Sequence, residues 1–198
     1  METSERILEL AERLVQTRGY NGFSYADIAT SLGVTKASLH YHFPAKAALG
    51  KELIGRYERH LLAALAAIDT KVKSPREKLR RYAGIYAEVL RDGRMCLCGM
   101  LAADYDTLPD PMRNAVIRFF DDNEAWLTGV LEQGRDDGTV RLSGSANEAA
   151  QALVSGLEGA LLIARPYGDA ARFQSAATQL LTSLVGAPSP KRTSTNRA

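Results

Sequence analysis

Apolar residues recur at three- and four-residue spacing along almost the whole chain, which predicts one helix after another and no defensible strand. Ile7, Ala11, Leu14 and Val15 form the first stripe, over residues 4–18, and Gly19 closes it. Ser24 stands where an N-cap belongs, with Asp27 three residues on as a short-acid capping box. Ile28, Ala29 and Leu32 continue that second helix to Gly33, a left-handed stop. Thr35 can cap a third helix over 36–43, which Pro44 ends. A long pattern over 46–70 carries Leu49, Leu53, Tyr57 and Leu61, and Ser74-Pro75 opens another that reaches about residue 92. A short helix over 95–104, a long one after Pro109 and Pro111, and two last ones over 146–164 and 173–185 complete the reading. The fold class is all-α with about nine helices. Residues 139–142 are the one strand-like run, and they read as loop.

Two short helices joined by a glycine turn make a helix-turn-helix pattern, whose second helix normally enters the DNA major groove. At about 100° per residue, Leu39 and Phe43 fall on one side and pack inward with Val34. Ala37, Ser38 and Tyr41 point the other way, flanked by Lys36, His40 and His42. A small residue admits the backbone close to the bases. Hydroxyl, imidazole and phenol groups then supply donors for base edges and phosphates. On this reading Thr35, Lys36, Ala37, Ser38 and His40 lie at or near base edges, while Ser24, Tyr41, His42 and Lys46 hold phosphates. Lys46 opens the next helix, where its side chain and the backbone amides could grip one phosphate together. The alternative is an ordinary helical hairpin with a solvated polar face.

The run GVTKASLHYHFPAKAAL resembles the signature of the TetR family of bacterial transcriptional repressors. That signature is a Gly-Val-Thr/Ser-Lys turn, an aromatic or His cluster before Phe, and Phe-x-x-Lys-x-x-Leu opening a fourth helix. The likeness spans about residues 4–53, and His40 stands where the family often has tyrosine. It implies a three-helix DNA-binding head over 1–46 and a larger helical body for ligand binding and dimerisation over 47–187. The polar stretch 188–198 reads as a disordered tail. It further implies a homodimer on a palindromic operator in double-stranded DNA, paired through its last two helices and released by a small-molecule inducer of unspecified identity. Ala-rich residues 146–164, with Gly156 and Gly159, suit close helix pairing, although a single-chain core would use them equally.

Composition narrows the alternatives. A chain of 198 residues with 45% hydrophobic and 24% charged positions is ordinary for a globular protein. A net charge of +2 is too small for a protein that coats DNA non-specifically. The lysines and histidines between Gly33 and Lys51, with no acid among them, make that local surface positive all the same. No apolar run approaches a membrane span and METSERILEL has no signal-peptide pattern, so the cytoplasm is expected. Gly-rich phosphate loops, metal-ligand spacings and nucleophile elbows are missing, so neither catalysis nor a cofactor is expected.

Within the body, aromatic residues Tyr82, Tyr86, Phe119, Phe120 and Trp126 are candidates to line a ligand pocket, with Met100, Asp104 and Asn123 beside them. An aromatic stripe at helical spacing is also what a plain core looks like. Cys96 stands at the predicted start of a helix in MCLCGMLAAD, where the dipole would lower a thiol's pKa, with Arg94 nearby. The segment resembles the corresponding helix of electrophile-sensing family members, which makes Cys96 a candidate redox sensor; the other reading is a small buried hydrophobe. Cys96 and Cys98 point about 200° apart on a helix, which suits neither a metal site nor a disulfide.

Overall fold

The computed structural model describes residues 2–185. Among them, nine α-helices and two single 3-10 turns hold all the regular structure, with no strand. The predicted polar tail, 188–198, lies outside the described residues.

Three helices build the head: α1 (Thr3–Arg18), α2 (Tyr25–Leu32) and α3 (Lys36–His42). Their inner faces bring together Ile7, Ala11, Val15, Ile28 and Leu39, all close to fully buried. Asp27 Oδ2 accepts both the backbone N–H and the hydroxyl of Ser24 at 2.7 Å. Those bonds pull the Asp27 carboxyl below its usual range. Gly33 ends α2 at φ +66°, a conformation that penalises any Cβ. Thr35 Oγ1 accepts from the Ser38 N–H and caps α3. That helix is one residue shorter than the pattern predicts. Phe43 is extended at φ −135°, because the ring of Pro44 excludes the helical region for the residue before it.

A 26-residue helix, α4 (Lys46–Lys71), runs unbroken out of the head, about 39 Å at 1.5 Å per residue. The body adds α5 (Pro75–Arg91), α6 (Leu97–Ala103), α7 (Asp110–Asp136), α8 (Ala146–Ala164) and α9 (Ala170–Val185). Leu79, Tyr82, Leu97, Leu127, Leu157 and Phe173 centre its core. Residues 139–142 form the expected loop, with the buried Val140 donating its N–H to Gly134 O. Helix α6 is shorter than predicted: Met95 gives its N–H to Gln16 O in the head, and Cys96 becomes the N-cap.

Head and body are joined chiefly through the C-terminal end of α1. Asp104 Oδ2 accepts the Tyr20 N–H at 2.8 Å, and Arg94 Nη1 donates to Gln16 Oε1 at 3.1 Å. Arg165, just past α8, donates to Thr17 O. On the other side Arg56 of α4 reaches Glu5 of α1 at 3.1 Å.

Candidate DNA-binding face and a polar cluster in the body

The outward face of α3 takes its shape from what lies beneath it. Leu39 is wholly buried and Phe43 nearly so, and Tyr25 Oη donates to Phe43 O at 2.8 Å. This fixes the rotation of a helix too short to be stable alone. Thr35, Lys36, Ala37, His40 and Tyr41 are exposed in consequence, and Ser38 and His42 half-exposed. Tyr41, 85% exposed, has only the edge of His42 against it, with ring centroids 5.2 Å apart. A large aromatic left in water on a rigid support is an unusual use of apolar area. His40 is less free: its ring lies 4.9 Å from that of Tyr25, and Nδ1 is 3.2 Å from Pro44 O. Ser24, Lys36, His40 and Lys46 line one shallow groove at the base of α3.

Lys46 departs from expectation. Its ammonium turns inward, donating to Tyr20 O and Phe23 O over the faces of both rings. Partial burial lowers its pKa, against the pull of Asp104 and Asp27. The side chain clamps the start of α4 to the α1–α2 connection rather than reaching out to a phosphate.

Inside the body, the predicted aromatic residues do meet. Tyr82 Oη and Tyr86 Oη are 3.1 Å apart, and Tyr82 stacks on Trp126 with centroids at 5.8 Å. Trp126 Nε1 donates to Asp69 Oδ2 at 2.8 Å. Phe119 packs against Tyr57 and Phe120, centroids 5.6 and 5.4 Å away. Between Tyr57, Tyr86, Cys96 and Phe119 lies a cavity of about 20 Å³, which holds roughly one water. Two other members of the predicted pocket lie elsewhere. Asp104 is at the head–body joint, held by Tyr20, and Met100 lies beside it near Gly19 and Arg165. The C-terminal end of α6 points at the head, so its residues face away from the aromatic group.

Cys96 is also unlike its prediction. Its thiol is buried, and burial followed by the nearby Glu158 carboxyl pushes its pKa well up, whereas the helix-dipole argument called for a lowered one. A seven-residue helix from which the Gly99 amide meets Sγ at 3.5 Å offers too little to offset desolvation.

Glu158 was not singled out by sequence reasoning. It comes from α8 and sits against Gly99, where any Cβ would collide with Oε2. Its pKa is raised from 4.5 to about 7 by burial, while Cys96 and Tyr86 beside it pull the other way. Oε1 is sealed from solvent with no hydrogen-bond partner among the described residues, as are both amide atoms of Asn123 on α7. Asn123 is 1% exposed. The available signal is a carboxylate in the otherwise apolar second half of α8, where the residue is half-buried and its Oε1 sealed. Among the described residues no group of three His, Cys, Asp or Glu could hold a metal, and no helix is long and apolar enough to cross a membrane.

Comparison with known proteins fits this architecture. Residues 7–53 match the family model "Bacterial regulatory proteins, tetR family", and residues 75–180 match "Tetracyclin repressor-like, C-terminal domain". The crystal structure of a TetR-family transcriptional regulator from Agrobacterium tumefaciens is 34% identical, with a TM-score of 0.89 over 92% of this chain and 97% of that one. Curated relatives include the HTH-type transcriptional repressor DhaR of Mycobacterium sp. (strain GP1), 24% identical over 80% of each chain. Another is the HTH-type transcriptional repressor NemR of Escherichia coli (strain K12), 28% identical over 83% of this chain and 84% of that one. With both its helix-turn-helix head and its helical body matched, the chain belongs to the tetR family and is a DNA-binding transcriptional regulator.

Proposed function

We propose that the protein is a homodimeric repressor that leaves a palindromic operator when a small molecule enters the body. The observation that carries this reading is the α3 surface: polar and aromatic side chains held outward on a helix whose other side is locked into a core. Thr35, Lys36, Ala37, Ser38 and His40 address base edges, and Ser24, Tyr41 and His42 address phosphates. Pairing is assigned to α8 and α9. Leu162 and Ile163 remain more than half exposed on α8, and a groove between the two helices is lined by Gly156, Ala160, Ile163 and Leu180. Apolar faces of this kind ask to be covered, and twofold pairing places two α3 helices about one DNA turn apart.

Release follows from α6. Its Cys96 end borders the body cavity and its Asp104 end holds the head, so a ligand that wedges the cavity open displaces the joint. The coupling needed is about 1–3 kcal/mol between the two states. Thiol modification is a second route, supported by the Sγ position at the cavity wall. The deciding experiment is selection of genomic fragments by the purified protein, sequenced with and without a thiol-reactive quinone. A single enriched palindrome supports the reading. A salt-sensitive background with no enriched sequence refutes it.

A further inference from the structure

We propose that Glu158 and Asn123 form the seat of a small organic ammonium ion inside the body, the inference resting on the reading above that the body takes an inducer. Three sealed polar atoms there make no hydrogen bond of normal geometry among the described residues: Glu158 Oε1 and the Asn123 oxygen and nitrogen, although the Asn123 amide lies within polar reach of the Tyr82 hydroxyl. Leaving such atoms unmet is costly, and a folded protein rarely leaves three in one place. Asn123 neighbours Tyr82, and Glu158 neighbours Tyr86 and Cys96, so the two sites form one continuous cluster through the Tyr82–Tyr86 contact.

The charges around the cluster decide what can fill it. Helix α4 brings Tyr57 and, beyond it, Glu58; α5 brings Tyr82 and Tyr86; α6 brings Cys96 and Cys98. Every one is neutral or acidic. No Lys, Arg or His among the described residues acts on Glu158. A sealed carboxyl without a cation keeps its proton to higher pH than a free one, and a ligand bringing its own positive charge supplies the missing partner. An ammonium N–H donates to Oε1 in place of the carboxyl's lost proton, which leaves to solvent. Tyr82 and Tyr86, which both adjoin the cluster, supply aromatic surface that a cation favours. An anion would meet repulsion, and a neutral ligand would leave the carboxyl as it is. The neighbouring cavity of about 20 Å³, which shares Tyr86 and Cys96 with the cluster, is too small for more than a water, so the cation must open the space between them. That opening is the wedge the release mechanism requires.

Calorimetry on the full chain with n-butylammonium and its neutral isostere 1-butanol tests this. The ammonium should bind about tenfold more tightly, the worth of one charge-assisted hydrogen bond. Heats in two buffers of different ionisation enthalpy should reveal release of about half a proton at pH 7, and almost none a unit and a half higher. Glu158→Gln should bring the two probes level. Should that variant not fold, proton release by the wild type decides alone. Equal affinities, binding without proton release, or no binding by either probe overturns the proposal; in the last case water alone meets these atoms. Anisotropy of a labelled operator fragment separates the two readings. Ammonium binding that leaves the operator complex intact keeps the site and refutes induction through it. Operator release by 1-butanol does the reverse.

Discussion

Glu158→Gln makes a sharp test of the body cluster, because glutamine copies the shape of a protonated glutamate and cannot ionise. In the unfolded chain Glu158 titrates near 4.5, and in the folded protein near 7. Below pH 4.5 both states carry the proton and the residue contributes no pH dependence. Between these values the unfolded chain releases a proton that the folded protein keeps, so wild-type stability falls as pH rises. Above pH 7 both states are ionised and the loss is complete. A difference of about 2.5 pH units, at about 1.4 kcal/mol each, makes the loss ~3 kcal/mol. Glu158→Gln lacks this slope. The variant should match wild type near pH 4.5 and exceed it by up to ~3 kcal/mol at pH 8. Urea unfolding at the two pH values gives the number, read as the wild type minus variant difference so that all other titrating groups cancel. Protein concentration must be held constant, since the stability of the proposed dimer depends on it. A difference that does not change with pH refutes the buried, unpaired carboxyl and removes the ground for a cation there.

The other predictions probe the remaining parts. Tyr41→Ala should leave thermal stability within ~0.5 kcal/mol of wild type and weaken operator binding about tenfold, measured by anisotropy across salt concentrations. Asp104→Ala strips the Tyr20 N–H of its acceptor at the joint and should cost ~1–2 kcal/mol, or about 2–8 °C in Tm, by calorimetry. With its raised pKa, the Cys96 thiol should react slowly with iodoacetamide in the native protein and fast in urea, and Cys96→Ser should abolish release by a quinone; an unchanged response ends that route. Ile163→Glu places a charge on the exposed face of α8 and should shift the protein to monomer in sedimentation equilibrium, with operator binding lost alongside.

What the sequence made legible was local. The Ser24–Asp27 box, the Gly33 stop and the end of α3 before Pro44 each depend on residues within four positions, and each forms as predicted apart from one residue at Phe43. Tyr82 and Trp126 could both be assigned to the body's interior because strong helical periodicity puts large residues on inner faces. The misplacements involve long-range partners. Lys46 sits at a helix start, where exposure is the ordinary expectation, but the two carbonyls that claim it belong to a connection 23 and 26 residues away. Asp104 is separated from its partner Tyr20 by 84 residues. The dipole of its own helix predicts a lowered pKa for Cys96, whereas burial and then Glu158 from another helix push it up. Periodicity tells which face is inside. It does not tell which buried polar groups meet there.

The position of α6 follows from these same misplaced residues, and it changes how the two halves communicate. Helix α4 is the obvious lever from its length, yet its head end is pinned twice, by Lys46 to the α1–α2 connection and by Arg56 to Glu5. Movement of α4 must therefore carry the whole head with it. Helix α6 is only seven residues, about 10 Å long, and so behaves as a rigid peg. Its N-cap, Cys96, faces Glu158 and the cavity, and its C-cap, Asp104, holds the backbone of Tyr20. Gly99 allows the Glu158 carboxyl against the peg, since a side chain there would occupy the same space. A change of charge or volume at Glu158 thus presses on one end of α6, and the other end is already bonded to the head. Of the contacts that hold the head, the Asp104–Tyr20 bond is thus the one that α6 carries directly from the cluster.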